Sequence, residues 1–253
     1  GGKLTGDPSI RLSGISIDSR KTNTGDLFAA IIGERVDGHD FIEQASNSGV
    51  TAFLTSREVA GNQVVVPPSP DALDPVIHAI AKLSAHVRAL MSGVEVIGVT
   101  GSSGKTSTKD MIGQILSHAG VTHCPAGSLN NELGLPLTLL SAPNDVKYLV
   151  AEMGMRGLGH ITHLCSLAKP TIGVVTNVGQ AHIGEVGSIK AIAKAKSELI
   201  TSLTAGGTAI LGTYDEFTPN MVVPSGVRKV LFGEKTKCEI RAADVEVREG
   251  RAH

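Results

Sequence analysis

Val94-Glu95-Val96-Ile97-Gly98-Val99 runs directly into Thr100-Gly101-Ser102-Ser103-Gly104-Lys105-Thr106-Ser107, and this junction decides the fold. The first segment is an apolar run of the kind that forms a strand buried in a parallel sheet. Beyond the turn, Met111, Ile112, Ile115 and Leu116 recur at helical spacing. Strand, glycine loop and helix in this order make a phosphate cradle. Gly101 and Gly104 let backbone amides face an anion without a Cβ in the way, and the helix start aims unpaired amides and its positive dipole end at the same point. Lys105 adds a mobile cation, and the Thr106 hydroxyl suits a magnesium ion bridging the phosphates. The longer form of this loop has a glycine five residues before Gly104; here that residue is Val99, so the match is to the short pattern Gly-x-x-Gly-Lys-Thr. A plain glycine turn with an exposed lysine is the competing interpretation, and nucleotide phosphate binding is the working expectation.

The chain has 253 residues, enough for one large domain or two ordinary ones. With 41% hydrophobic and 19% charged residues it falls among globular proteins. A formal net charge of -1 gives no global pull towards nucleic acid or an anionic membrane, and 3% aromatics without tryptophan leave few platforms for stacking bases. No nucleic-acid partner is expected. Nor is membrane insertion, since no apolar run is long enough to span a bilayer and no signal-peptide pattern is present. Cys124, Cys165 and Cys238 are scattered and form no Cys-x-x-Cys pair, which fits small buried apolar residues in a reduced, cytoplasmic compartment. Gly1-Gly2-Lys3 lacks an initiator methionine, and the chain stops at Arg251-Ala252-His253 after an alternating segment, residues 240–247, that reads like half of a hairpin. A piece of a longer protein is expected.

Up to about Ser92 the pattern is mixed. Strands are expected around Ile15 and Ile17, over residues 27–32, 51–54 and 64–66, and a short helix around Phe41, Ile42 and Ala45. Val76, Ile77, Ile80, Leu83, Val87 and Leu90 predict one amphipathic helix running to Gly93. A domain boundary follows, giving a small mixed α/β domain over 1–92 and a parallel-sheet domain over 93–253. In the second region strands at 148–153, 171–176 and 208–211 alternate with helices at 158–168 and from a Ser188 cap to Leu203.

Ligands of open parallel sheets collect beyond the carboxyl ends of the strands. Three strands here end in chemistry: the glycine loop, Glu152, and Asn177 with His182. Glu152 is placed as a hard-oxygen magnesium ligand, against the alternative of a capped or salt-bridged surface acid. His182, taken alone, is equally a satisfied loop histidine or a ligand. His160 and His163 lack a third zinc ligand nearby and are expected on a helix surface. Asn130-Asn131-Glu132 before Gly134 and Pro136 is a turn opening a helix, or a source of amide donors to a substrate.

Together the glycine loop, Leu129-Asn130-Asn131-Glu132-Leu133-Gly134-Leu135-Pro136, Glu152-Met153-Gly154 and Ala193-Lys194-Ala195-Lys196 resemble the Mur ligase family. Ser16-Ile17-Asp18-Ser19-Arg20, Gly25-Asp26-Leu27-Phe28 and Asp37-Gly38-His39-Asp40-Phe41 are similar to that family's uridine-nucleotide-binding domain. The likeness covers nearly the whole chain, and is strongest to the branch that adds D-alanyl-D-alanine to UDP-N-acetylmuramoyl-tripeptide in peptidoglycan precursor synthesis.

The resemblance implies a P-loop-type central domain binding ATP and Mg2+, with Gly101, Ser102, Ser103, Gly104, Lys105, Thr106 and Ser107 around the phosphates. It implies a first magnesium on Thr106 and Glu152, and a second held by His182 and by Lys196, which the family often carbamylates. A solvated helix lysine, like Lys194, is the alternative for Lys196. Lys105, His182 and Lys196 would serve catalysis. Ile17, Ser19, Glu34, Arg35 and Val36, with Asn130 and Asn131, would meet the nucleotide sugar. Two departures stand out: Gly184 where many relatives have an acid, and Thr213-Tyr214-Asp215 in place of an Asn-Ala-Asp-like segment. The family's carboxyl-terminal domain, which brings the amino substrate, has no counterpart here, so this piece is not expected to turn over alone; a monomer is expected. Rival readings are a folylpolyglutamate or cyanophycin synthetase relative and a non-catalytic nucleotide-binding module.

Overall fold

A computed structural model describes residues 1–68, 74–181 and 183–243 in full, and 247, 248, 251 and 252 by backbone alone. By contacts the chain divides into two compact units, one of residues 1–90 with 136–141 and the other from Met91 to Leu135 and from Ala142 onward.

The first unit holds β1 (Lys3–Thr5), β2 (Gly14–Ser16), β3 (Asp26–Ala29), α1 (Ile42–Asn47), β4 (Ala52–Thr55), β5 (Gln63–Val65) and α2 (Pro75–Leu90). Its sheet has the order β1-β5-β4-β3-β2, with β1 antiparallel to β5 and the remaining pairs parallel. Phe28 and Phe53 meet edge to face and pack with Ala30 and Ala45 under α1. The strand β1 carries only exposed residues, so no burial pattern marks it in the sequence.

The second unit contains β6 (Glu95–Thr100), α3 (Lys105–Leu116), β7 (Thr122–His123), β8 (Tyr148–Glu152), α5 (His160–Ala168), β9 (Ile172–Val175), α6 (Ile183–Val186), α7 (Ile189–Thr201), β10 (Thr208–Gly212), β11 (Arg228–Gly233) and β12 (Ile240–Arg241). The helix α4 (Gly134–Leu140) follows β7. The sheet order is β12-β11-β10-β9-β6-β8-β7, parallel throughout. One consequence decides the site: the two neighbours of β6 are β8 and β9, so three strands end side by side, with Val99 opposite Glu152 and Thr100 opposite Val175. On one face Ile97, Val99, Val150 and Val174 pack with Ile112 and Leu116 of α3. On the other, Gly98 and Gly173 leave room for Leu199 of α7, which a Cβ at either would approach to 2.9 or 3.1 Å.

The helix expected from Met111, Ile112, Ile115 and Leu116 is α3, but its apolar residues do not share one environment: Met111 and Ile115 are 56% and 69% exposed while Lys109 and Gly113 take buried positions. The hairpin arm expected over residues 240–247 falls in part outside the described residues, which leave out 244–246. Ile240–Arg241 extends the parallel sheet beside β11, and a separate antiparallel pair joins β13 (Val247–Arg248) to β14 (Arg251–Ala252). His160 and His163 are exposed on α5, as expected. Cys165 is buried, and that burial pushes its thiol up to about 12, which keeps it inert at neutral pH.

Candidate functional site

The loop after β6 owes its shape to two glycines, both at positive φ, of which Gly101 at φ 157° is also closely approached by a neighbour. Gly101 is forced by close approach: a Cβ there would lie 1.8 Å from Thr176 Oγ1. Gly104, at φ 78°, takes the left-handed conformation as the N-cap of α3, where a Cβ would meet only Thr108 Oγ1, at 4.0 Å. The carboxyl end of β9 braces the loop. Asn177 accepts from the Ser102 amide through its carbonyl at 2.9 Å and from the Ser103 amide through Oδ1 at 3.1 Å. Thr176 Oγ1 donates to Ser103 O at 2.7 Å, and Ser102 Oγ accepts from the Gly179 amide at 2.8 Å. With Ser102 and Ser103 committed, the amides of Lys105, Thr106 and Ser107 form the first helical turn, where an α-helix has no internal acceptor for them. The Lys105 ammonium folds back to Gly101 O at 2.9 Å.

On the other side of β6 lies Glu152, 3% exposed at the end of β8. It is a buried carboxylate, not a surface acid. Thr106 Oγ1 donates to Glu152 Oε2 at 2.7 Å, and Asn130 Nδ2 donates to Oε1 at 2.8 Å. Because the Thr106 proton points at the carboxylate, the lone pairs of its hydroxyl remain available to a cation. A hydroxyl and a carboxylate are the hard oxygens that magnesium prefers, so the donor set fits that ion. Ser128 Oγ stands 3.2 Å from Thr106 Oγ1. Asn131 has a local role: its Oδ1 accepts from the Gly134 amide at 2.8 Å and opens α4.

Lys196 is 1% exposed, whereas Lys194 faces outward. It lies in the buried stripe of α7 with Ile192, Ala195, Leu199 and Ile200. Burial first, and the Lys105 ammonium second, push its pKa down to about 8. His182 lies outside the described residues. In the first unit, Ser19 is buried and donates to Gln44 Oε1 at 2.9 Å, while Ile17 is exposed. Glu34, Arg35 and Val36 are exposed in a turn closed by Gly33 N to Val36 O at 2.9 Å. Arg20 binds both oxygens of Asp18, which holds that carboxyl down at about 2.

Three partners were not anticipated from the sequence: Ser128, Thr176 and Asp215. Asp215 accepts from the Val178 amide at 2.8 Å and from the Phe217 and Thr218 amides at 2.7 Å, tying the segment after β10 to the loop after β9. The burial of Lys196, which the sequence left open against a solvated position like that of Lys194, is written in its spacing, four residues after Ile192 and three before Leu199, inside the apolar stripe.

Fold and site together define an open parallel α/β domain whose polar groups gather where β6, β8 and β9 end. Two family descriptions match the sequence, the Mur ligase middle domain over residues 99–253 and the Mur ligase family catalytic domain over 11–94. The chain belongs to the Mur ligase family. It is 44% identical over 202 residues to the UDP-N-acetylmuramoyl-tripeptide--D-alanyl-D-alanine ligase of Synechocystis sp., covering 80% of this chain and 44% of the relative. To the enzyme of that name from Mycobacterium tuberculosis it is 38% identical over 251 residues, 93% of this chain and 49% of the relative. Among solved structures, MurF from Acinetobacter baumannii superposes with a TM-score of 0.81 at 33% identity, over 95% of this chain and 52% of that one. The MurF ligase of Thermotoga maritima in complex with ADP gives 0.78 at 31% identity, over 96% and 55%. The chain thus spans about half the length of the relatives it matches. No described helix is long and apolar enough to cross a membrane.

Proposed function

We propose that this chain is the nucleotide-sugar-binding and ATP-binding part of a ligase that joins D-alanyl-D-alanine to UDP-N-acetylmuramoyl-tripeptide through an acyl phosphate. The observation that carries the reading is the meeting of Thr106 with Glu152 beside the glycine loop. Relatives carrying that activity in their names, and one solved with ADP, support it.

In this reading residues 93–253 act as a P-loop-type domain and residues 1–92 hold the nucleotide sugar. Residues 101–107 surround the phosphates of ATP, with the amides of Lys105, Thr106 and Ser107 donating to them, and Lys105 swings from Gly101 O to neutralise the moving phosphoryl group. Thr106 and Glu152 hold one magnesium ion; His182 and Lys196 hold a second. Magnesium supplies charge neutralisation for the phosphates and the carboxylate. Lys196 becomes a ligand by carbamylation: its neutral amine bonds to the carbon of CO2 and loses a proton, which turns a cation into an oxygen anion. At about 8 its pKa leaves about a tenth of the amine neutral at pH 7, against a negligible fraction for an ordinary lysine. Ile17, Ser19, Glu34, Arg35 and Val36 contact the nucleotide sugar, with Asn130 and Asn131 contributing amides. The ligase acts as a monomer.

The test uses the full-length protein. Phosphate release should require UDP-N-acetylmuramoyl-tripeptide, ATP, Mg2+ and D-alanyl-D-alanine together, with one ATP consumed per amide formed. Turnover with folates, or ATP hydrolysis indifferent to the muramoyl peptide, would refute the assignment.

A further inference from the structure

The helix α3 exposes Met111 and Ile115 yet buries Lys109, which is 2% exposed. Burying an ammonium costs free energy unless its protons find acceptors. Here all three do. Lys109 Nζ donates to Pro125 O, to Gly127 O at 3.2 Å and to Asp110 Oδ1 at 2.8 Å. Two of these acceptors are main-chain carbonyls of one segment, so the lysine fixes the course of a backbone and not merely a side chain. The same segment goes on to Ser128 and Asn130. Those are the residues that lie against the candidate cation ligands, Ser128 Oγ 3.2 Å from Thr106 Oγ1 and Asn130 Nδ2 2.8 Å from Glu152 Oε1. Thr106 and Lys109 stand three residues apart on α3, so one helical turn carries both the hydroxyl and the clamp on what surrounds it.

We propose that Lys109 is a positioning residue for the cation site, holding residues 125–130 so that Ser128 and Asn130 orient the Thr106 hydroxyl and the Glu152 carboxylate towards a divalent ion. The inference rests on the role given to Thr106 and Glu152 above. Hydrogen bonds from Thr106 to Oε2 and from Asn130 to Oε1 fix the plane of the carboxylate, and outer partners of this kind set ligand geometry. A lysine needed only to fill space would be replaced by methionine at small cost. A lysine that fixes two carbonyls is not replaced that way, because methionine offers them no donor.

The experiment measures ADP affinity of the full-length protein by calorimetry, with Mg2+ and with chelator, for the wild type, Lys109→Met and Thr106→Val. Amide hydrogen exchange over residues 125–130 is followed alongside. Lys109→Met should lose about tenfold of the Mg2+-dependent tightening. It should keep its chelated affinity within about twofold and exchange faster in 125–130. Unchanged Mg2+-dependent tightening in Lys109→Met, with Thr106→Val impaired, overturns the role of Lys109 alone. Equal loss of both affinities with a lowered melting temperature also overturns it, since Lys109 would then serve only the fold. If Thr106→Val keeps the full tightening, the cation-site reading falls and takes the role of Lys109 with it.

Discussion

Thr106 Oγ1 lies 2.7 Å from Glu152 Oε2, and this one hydrogen bond ties the first turn of α3 to the carboxyl end of β8. The two residues are 46 positions apart in the chain. They meet because β8 lies beside β6 in the parallel sheet, so the strand that feeds α3 and the strand that carries the acid finish at the same edge.

Glu152→Gln removes the charge at nearly constant volume. The fold should survive, because an amide oxygen can still accept from Thr106 or Asn130. If the full-length protein carries the proposed activity, its steady-state kinetics should show kcat/KM lower by about a hundredfold, or about 2.7 kcal/mol of lost transition-state stabilisation. An unchanged kcat/KM would remove Glu152 from the site.

Alanine at the two loop glycines, both at positive φ, should show what close approach adds to backbone strain. Gly104→Ala forces a left-handed alanine whose Cβ meets only Thr108 Oγ1, at 4.0 Å, and should cost about 1–2 kcal/mol in urea denaturation. Gly101→Ala meets Thr176 Oγ1 and should cost more, while also weakening nucleotide binding. Adding Thr176→Ala should recover part of the Gly101→Ala loss but none of the Gly104→Ala loss, which a double-mutant cycle reads directly.

Lys196 gives a pH signature. Its pKa falls from 10.5 to about 8 on folding, so between those values the unfolded chain holds the extra proton and stability rises with pH. Below pH 8 the full cost, about 3 kcal/mol, is present. In CO2-free buffer Lys196→Met should therefore be the more stable protein at pH 7 by urea denaturation, with the difference shrinking towards pH 10.

Asp37 should make the first unit acid-sensitive. Burial works to raise its carboxyl, but hydrogen bonds from the His39 amide and ring and from Arg57 outweigh that and hold it at about 2. A depressed carboxyl stabilises the fold above pH 4, and that contribution is lost as pH falls through 2. Asp37→Asn should lower stability at pH 7 by about 1 kcal/mol, a figure discounted for solvent screening, and should no longer show the acid-induced loss in denaturation curves.

Much of the second unit was legible because its signals are local. The strand before the glycine loop, the Ser188 cap whose Oγ accepts from the Ala191 amide at 3.2 Å, and the alternation of strands with helices all follow from neighbouring residues. The stripe of α7 separates Lys196 from Lys194, since Lys196 falls on the buried face with Ile192 and Leu199. By contrast, α3 misleads: Met111 and Ile115 have the spacing of a core face, yet Lys109 takes a buried place because carbonyls 16 and 18 residues away satisfy it. No periodicity reports that.

The sequence by itself determined the strand, the glycine turn and the helix, since backbone conformation, apolar spacing and helix caps are set by residues a few positions apart. Only the tertiary structure decided that Glu152 and Ser128 meet the Thr106 hydroxyl while Asn130 holds the other oxygen of Glu152, and that Thr176 and Asn177 brace the loop from the other side. Those meetings depend on β8 and β9 flanking β6, and that pairing order arises from how the whole sheet buries its two faces.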